Sequence, residues 1–108
     1  MAREGFVHTA TLDLGPDVDP AAVGAAVTTA LCGHWEHPGP CTWPHNNAIS
    51  SGAPAELRTV FVCEPADEAA VRARIEAALA GDDGWTVRSS GPRALAPDEE
   101  PLAERLAG

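Results

Sequence analysis

The chain contains no lysine, so arginine supplies all 7 of its basic side chains, against 16 acidic ones. The formal net charge is therefore −9. A surface of this sign repels nucleic-acid phosphates and anionic lipid headgroups, so we expect neither nucleic acid nor a membrane among the partners. The acidity is typical of a soluble surface, and it leaves open an attraction for metal cations or for a basic partner protein.

Long apolar runs are also missing. No stretch reaches the roughly 18 apolar residues that a membrane helix needs, and residues 1–8 lack the apolar core of a signal peptide. With 108 residues and a hydrophobic fraction of 44%, the chain is long enough for one globular domain. We therefore expect a cytoplasmic protein.

Cysteine is scarce, with 3 residues in the whole chain. An odd count argues against a disulfide framework, and thiols stay reduced in the cytoplasm, so we expect free thiols. A disulfide between Cys32 and Cys41 is the alternative for an exported protein. The sequence also lacks a Walker motif, a dinucleotide fingerprint and a Ser-His-Asp pattern, so it indicates no familiar catalytic class.

The unusual chemistry is concentrated in residues 32–45, which read Cys-Gly-His-Trp-Glu-His-Pro-Gly-Pro-Cys-Thr-Trp-Pro-His. Zinc takes four ligands in a tetrahedron, drawn from thiolate, imidazole and carboxylate groups. Soft thiolates together with imidazoles favour zinc, with copper, nickel or iron as competitors. The segment therefore predicts a zinc site. The candidate ligands are Cys32, His34, His37, Cys41 and His45.

Five candidates exceed the four positions of one tetrahedral site. One of them is therefore a bystander, or the site holds two ions, or the ligands exchange. Cys63 is interpreted as a buried core residue and His8 as a hydrogen-bonded strand histidine. The predicted fold nevertheless brings both toward the edge of the domain where Cys32 lies, so their membership of the site stays open.

Residues 41–45, Cys-Thr-Trp-Pro-His, resemble the closing Cys-x3-His of CCCH zinc fingers, a family that binds RNA. The spacing from Cys32 to Cys41 is also similar to the first spacing of that family. The resemblance covers only residues 32–45, and the segment lacks the further cysteine that the family carries. Because of this departure and the acidic charge, RNA binding is not carried over to this chain.

Two stretches predict helices with equivalent roles. Asp19 is placed as an N-cap, Pro20 suits the first helical position, and apolar residues follow at helical spacing. This pattern predicts a helix over Pro20–Cys32. The pattern nearly repeats over Asp67–Gly81, where Asp67 is the predicted cap.

Four stretches predict strands through alternating apolar residues or through β-branched and aromatic side chains. They are Phe6–Leu14, residues 42–50, Leu57–Cys63 and Trp85–Ser89. The resulting order predicts an α+β fold of the ferredoxin-like βαββαβ class, an antiparallel sheet with two helices on one face. Residues 1–96 form this single domain with the Cys/His-rich loop at 32–47. Residues 97–108 form an acidic C-terminal tail, in which Asp98 is the potential cap of a short helix.

These features lead to three functional hypotheses. The first is a small zinc-binding protein whose metal has a structural or partner-binding role. The second is a metal-dependent enzyme or metal-handling protein with an open coordination position, where metal-bound water reacts and Glu36 or a spare histidine moves protons. The third is a metal-free regulatory module that forms a homodimer, because the sheet face of Val7, Val60 and Val62 carries no helix in the predicted fold.

Overall fold

The computed structural model describes residues 3–32, 43–50, 52–80 and 84–107, and within them the chain forms four strands and three α-helices. In chain order the elements are β1 (Glu4–Leu14), α1 (Pro20–Cys32), β2 (His45–Ile49), β3 (Ala55–Cys63), α2 (Glu68–Leu79), β4 (Trp85–Arg93) and α3 (Glu100–Ala107). Short 3₁₀ turns at Pro65–Asp67 and Pro97–Glu99 lead into α2 and α3. None of the described helices is long and apolar enough to cross a membrane.

The strands form one antiparallel sheet in the order β2-β3-β1-β4. The prediction of an α+β fold built on an antiparallel sheet is thereby confirmed. Strand β4 is longer than the predicted Trp85–Ser89 because it pairs with β1 as far as Val7 opposite Arg93. Strand β2 is a short strand at the edge of the sheet, and it follows Pro44, which has no N–H to donate to a neighbouring strand.

Helices α1 and α2 pack on one face of the sheet and enclose the main core. The helix residues that are buried there are Val23, Val27, Leu31, Val71, Ile75 and Leu79. They meet Leu12, Leu57 and Phe61 of the sheet, each at most 1% exposed. Because burial of apolar surface contributes about 25 cal/mol per Å², this packing, more than helix propensity, holds the two helices in place.

The two helices begin differently despite their similar sequences. Asp19 caps α1 as predicted, because its Oδ1 accepts a hydrogen bond of 2.9 Å from the Ala21 N–H. The prediction that Asp67 caps α2 was wrong, since its side chain makes no capping hydrogen bond. The turn that starts at Pro65 runs directly into α2, so Asp67 has a helical backbone (φ −94°, ψ −7°) rather than the extended one of an N-cap.

The C-terminal tail packs on the opposite face of the sheet. There Ala103 of α3 is buried against Val7, Val60 and Val62, and these residues form a second apolar cluster. The helix lies close to β1, because a Cβ added to Gly5 would lie only 2.8 Å from the Cβ of Ala103. The expectation that this sheet face is open was therefore wrong, and the argument for a dimer through it loses its basis.

An ion pair fastens the start of the tail to β3. The Arg58 guanidinium donates to both carboxylate oxygens of Glu99, at 2.6 and 2.7 Å. The same carboxylate accepts a hydrogen bond of 2.8 Å from the Ala96 N–H. Bidentate pairing of this kind fixes the position of the carboxylate as well as its charge, and so it orients the chain that enters α3.

Candidate functional site

Cys32 and His45 lie next to each other in the fold although they are 13 residues apart in the chain. Cys32 is the last residue of α1, and His45 is the first residue of β2, the edge strand beside that helix. The Sγ atom of Cys32 lies 3.9 Å from Nδ1 of His45. The fold thus brings together two of the five candidate ligands.

The sulfur of this pair is oxidised. Cys32 is disulfide-bonded, so the expectation that every cysteine carries a free thiol was wrong for this residue. A metal ion binds the thiolate, and therefore the disulfide has to be reduced before Cys32 can act as a ligand. Only a reduced Cys32 would offer its thiolate, together with the His45 imidazole, to a metal ion.

The His45 ring is hydrogen-bonded at both nitrogens. Nδ1 lies 3.1 Å from the Trp43 carbonyl oxygen, which can only accept, so Nδ1 carries the ring proton. Nε2 then accepts a hydrogen bond of 2.9 Å from the Thr28 hydroxyl. Burial lowers the pKa of His45, and the hydrogen bond to Trp43 offsets part of this effect. At neutral pH the ring is therefore neutral, the state in which imidazole binds metals.

A chain of hydrogen bonds behind His45 fixes its orientation. The Thr59 hydroxyl donates to Oδ1 of Asn47 at 2.7 Å. The Asn47 amide group donates to the Gly24 carbonyl oxygen at 3.1 Å and to Oγ1 of Thr28 at 3.3 Å. Because Thr28 in turn donates to His45, the chain of bonds runs from β3 through β2 to α1 and back to the imidazole.

Thr28, Asn47 and Thr59 are not among the site residues predicted from the sequence. One signal was available, because Asn47 alternates with His45 and Ile49 along β2, and residues two apart in a strand share a face. A polar side chain on the face that meets a helix requires hydrogen-bond partners there. The identity of those partners depends on how α1 and β3 are placed in the fold.

His45 also lines a groove of about 360 Å³ between α1 and β2, together with Thr28 and Asn47. Near it, Trp43 packs against the main core, and the Arg74 guanidinium lies 4.9 Å from the centroid of its ring. These contacts support a packing role for Trp43.

The other candidate ligands, His34, His37 and Cys41, lie outside the described residues, and so does Glu36. Within the described ranges, no three His, Cys, Asp or Glu side chains are grouped so that they could hold a metal ion. The part of the site that the structure describes is therefore the pair of Cys32 and His45.

His8 lies elsewhere, between β1, α2 and β4. Its Nδ1 accepts a hydrogen bond of 3.1 Å from Arg72, so Nε2 carries the proton, 2.9 Å from Oε1 of Glu76 and 3.0 Å from Oγ of Ser90. The interpretation of His8 as a hydrogen-bonded strand histidine is confirmed. Serine, histidine and glutamate meet here, but a protonated Nε2 takes no proton from Ser90, so the group is not an activated serine nucleophile.

Cys63 is a core residue, as interpreted. It is 1% exposed, carries a free thiol and packs within the main core. Burial raises the pKa of its thiol to about 11, and the carboxylates of Asp67 and Glu68 add to the effect. The thiol is therefore protonated at neutral pH, which makes it a poor metal ligand and a poor nucleophile.

The described geometry places a disulfide-bonded cysteine, Cys32, beside the imidazole of His45. Comparison of the chain with protein-family models, with characterised proteins and with solved structures finds no match.

Proposed function

We propose that this is a small zinc-binding protein whose Cys/His-rich segment forms the site and whose metal has a structural or partner-binding role. The observation that carries the proposal is the 3.9 Å separation between Cys32 Sγ and His45 Nδ1. With Zn–S near 2.3 Å and Zn–N near 2.0 Å, two ligands of one tetrahedral ion lie about 3.5 Å apart. A small movement of either side chain brings the pair to that distance.

Binding of zinc at Nδ1 requires the ring proton of His45 to move to Nε2. Thr28 Oγ1 is placed to accept it there, because a hydroxyl can reverse its role in a hydrogen bond. A partner on the second ring nitrogen orients a metal-bound imidazole and raises its basicity. Two positions on the tetrahedral ion remain, and from the spacing in the sequence we assign them to Cys41 and to one of His34 and His37.

We also assign the fold to the ferredoxin-like class. The strand order β2-β3-β1-β4 and the packing of α1 and α2 on one face support this assignment. A metal bound by the last residue of α1 and the first residue of β2 would tie the two ends of their connection together. This is the physical basis for a structural role of the ion.

The disulfide favours a second candidate function, a metal-free module in which a covalent bond at Cys32 takes the place of the metal. Disulfides persist in oxidising compartments, and thiols persist in reducing ones. In the cytoplasm, the location expected from the sequence, the reduced, metal-binding state would be favoured. The enzyme alternative rests on spare ligands and on Glu36 or a spare histidine as the proton carrier, and the described residues do not support it.

Metal uptake by the reduced and the oxidised protein tests the proposal. Protein made without a histidine tag is reduced with a phosphine, freed of the reductant and titrated with Zn²⁺ and with Co²⁺. We expect about one equivalent to bind to the reduced form, with the cobalt spectrum of a tetrahedral thiolate site, and none to the oxidised form. An exchangeable water on the bound cobalt would instead support the enzyme alternative.

Matched variants locate the site. Loss of an outer-shell partner lowers metal affinity about 10–100-fold, so Cys32→Ser and His45→Gln should each weaken zinc binding at least as much. Cys63→Ser should bind zinc like the wild type, because Cys63 belongs to the core. Absence of uptake by the reduced wild type, or equal affinity of Cys32→Ser and wild type, would contradict the proposal.

A further inference from the structure

We infer that His8 and Arg72 form an acid-sensitive latch between β1 and α2, which opens when His8 takes up a proton. The inference concerns the contact between β1 and α2 and does not depend on metal binding. His8 is 2% exposed, and side chains of α2 contact both of its ring nitrogens.

The neutral ring of His8 has one acceptor nitrogen and one N–H donor, and each of them faces a suitable partner. Nδ1 accepts from Nη1 of Arg72, and Nε2 donates to Oε1 of Glu76. The Ser90 hydroxyl donates to the same carboxylate oxygen at 2.7 Å. Because a guanidinium keeps its protons at any pH relevant to a protein, the donor at Nδ1 is fixed, and the tautomer of His8 is fixed with it.

Arg72 is the side chain that the latch holds. The same Nη1 donates a hydrogen bond of 2.7 Å to the Val7 carbonyl oxygen, and the guanidinium lies 5.3 Å from the centroid of the Phe61 ring. Its Nε is paired at 2.8 Å with Glu68, one turn earlier on α2. Through Arg72, α2 is therefore bonded to the backbone of β1 beside a core phenylalanine.

Protonation of His8 adds a second N–H to the ring, and this N–H points at Nη1 of Arg72. Two donors, each on a cation, then face each other across 3.1 Å. Because the two N–H groups and the two positive charges repel each other, Arg72 moves away from Nδ1. Its hydrogen bond to the Val7 carbonyl oxygen is lost in the same movement. Glu76 continues to accept from Nε2–H, which keeps the protonated ring in place.

The other polar and charged groups around His8 are consistent with the release of Arg72 in acid. From α2 they are Arg72 and Glu76, with Glu68 behind Arg72; from β4 the group is Ser90, and the partner on β3 is the uncharged Thr59. Burial lowers the pKa of His8, and the charge of Arg72 lowers it further, whereas the hydrogen bond and charge of Glu76 raise it. The latch therefore opens in acid, below the ordinary histidine pKa of about 6.5.

Nuclear magnetic resonance of the isotope-labelled full chain tests the latch. We expect His8 to begin as the Nε2–H tautomer and to titrate with a midpoint below about 6.5. The guanidinium signals of Arg72 should shift with that same midpoint. A midpoint at or above the ordinary value, or Arg72 signals that do not follow His8, would overturn the inference.

Two variants separate the latch from general acid sensitivity. Arg72→Gln removes the neighbouring cation, so the His8 midpoint should rise toward about 6.5. Arg88→Gln is the matched control, because Arg88 is exposed on β4 and contacts Asp13 rather than His8; it should leave the midpoint unchanged. If Arg72→Gln does not fold, Glu76→Gln replaces it, and loss of that carboxylate should lower the midpoint. A variant at Arg72 or Glu76 that leaves the midpoint in place refutes the latch.

Discussion

The two helix–strand junctions on the main face of the sheet have similar helix sequences but hold their histidines in opposite tautomers. At the α1 junction, formed by α1 and His45 of β2, the ring is protonated at Nδ1. At the α2 junction, formed by α2 and His8 of β1, the ring is protonated at Nε2. The neighbours decide the difference, because the Trp43 carbonyl oxygen can only accept and the Arg72 guanidinium can only donate.

The two junctions also differ in the charged residues that surround their histidines. Helix α1 contains no charged residue, and the partners that the structure describes for the His45 ring are the Thr28 hydroxyl, the Trp43 carbonyl oxygen and the Cys32 sulfur. Helix α2 places Arg72 and Glu76 directly on His8. At His8 a charged side chain therefore faces each ring nitrogen, whereas the described partners of the His45 ring are uncharged.

The largest loss of stability is expected at the α1 junction, from Asn47→Ala. The substitution removes the hydrogen bonds to the Gly24 carbonyl oxygen and to Thr28, and it leaves the fully buried Thr59 hydroxyl without its acceptor. We expect the free energy of unfolding in urea to fall by about 2–3 kcal/mol. The neighbouring, exposed Asn46→Ala should cost less than about 0.5 kcal/mol. Similar losses for the two variants would show that the hydrogen-bond chain does not stabilise this junction.

A smaller loss is expected at the α2 junction, from Arg72→Ala. The variant gives up the hydrogen bonds to the Val7 carbonyl oxygen and to Nδ1 of His8, and the contact with the Phe61 ring. Because the Arg72 side chain is partly exposed, its removal leaves a space that opens to water and not a closed cavity. We expect a decrease of about 1–2 kcal/mol in the same urea experiment. Arg88→Ala is the control, and its exposed ion pair should contribute less than about 1 kcal/mol. An equal decrease in Arg88→Ala would show that the contacts of Arg72 stabilise the protein no more than an exposed ion pair does.

Much of the fold was predictable because its elements are marked locally. Helix α1 has the predicted bounds Pro20–Cys32, since Asp19 and the following proline identify its start. Asp67 misled the prediction because an aspartate acts as an N-cap only where its own backbone is extended, and the preceding 3₁₀ turn decides that. The packing of α3 was not predictable from the sequence either, because it depends on the close approach of Ala103 to Gly5, which lie near opposite ends of the chain.

The candidate site was predictable only in part. The residue types between Cys32 and His45 identified the segment, because chemistry-bearing residues were concentrated there. The hydrogen-bond chain behind His45 draws on three separate elements, and no single stretch of sequence shows that they meet. The oxidation of Cys32 also depends on which sulfur atoms the fold brings into contact, and an odd number of cysteines does not reveal it.

Acid should weaken both junctions, because burial lowers the pKa of His8 and of His45. A histidine with a lowered folded pKa takes up a proton on unfolding, so its stabilisation is lost as pH falls from about 6.5 toward that folded pKa. The slope is at most about 1.4 kcal/mol per pH unit for each proton taken up. Urea unfolding at several pH values measures it.

Single variants assign the acid effect to each junction. His8→Gln should remove the part that belongs to the α2 junction, and His45→Gln should remove the part that belongs to the α1 junction. Arg88→Gln, which touches neither histidine, should keep the full dependence. A stability that stays constant between about pH 7 and pH 5 in the wild type would contradict the burial of both rings in their neutral forms.

The smallest loss of stability is expected from substitution of the aspartates at the starts of α1 and α2. Asp19→Ala removes the side-chain bond to the Ala21 N–H at an exposed position, so we expect a loss of about 0.5–1 kcal/mol in urea unfolding. Asp67→Ala removes no capping bond and should change stability by no more than about 0.3 kcal/mol. It should still lower the pKa of the Cys63 thiol, because Asp67 is one of the carboxylates that raise it. Equal losses in the two variants would mean that the aspartates act alike, whereas a loss at Asp19 alone would show that backbone conformation decides which of them caps a helix.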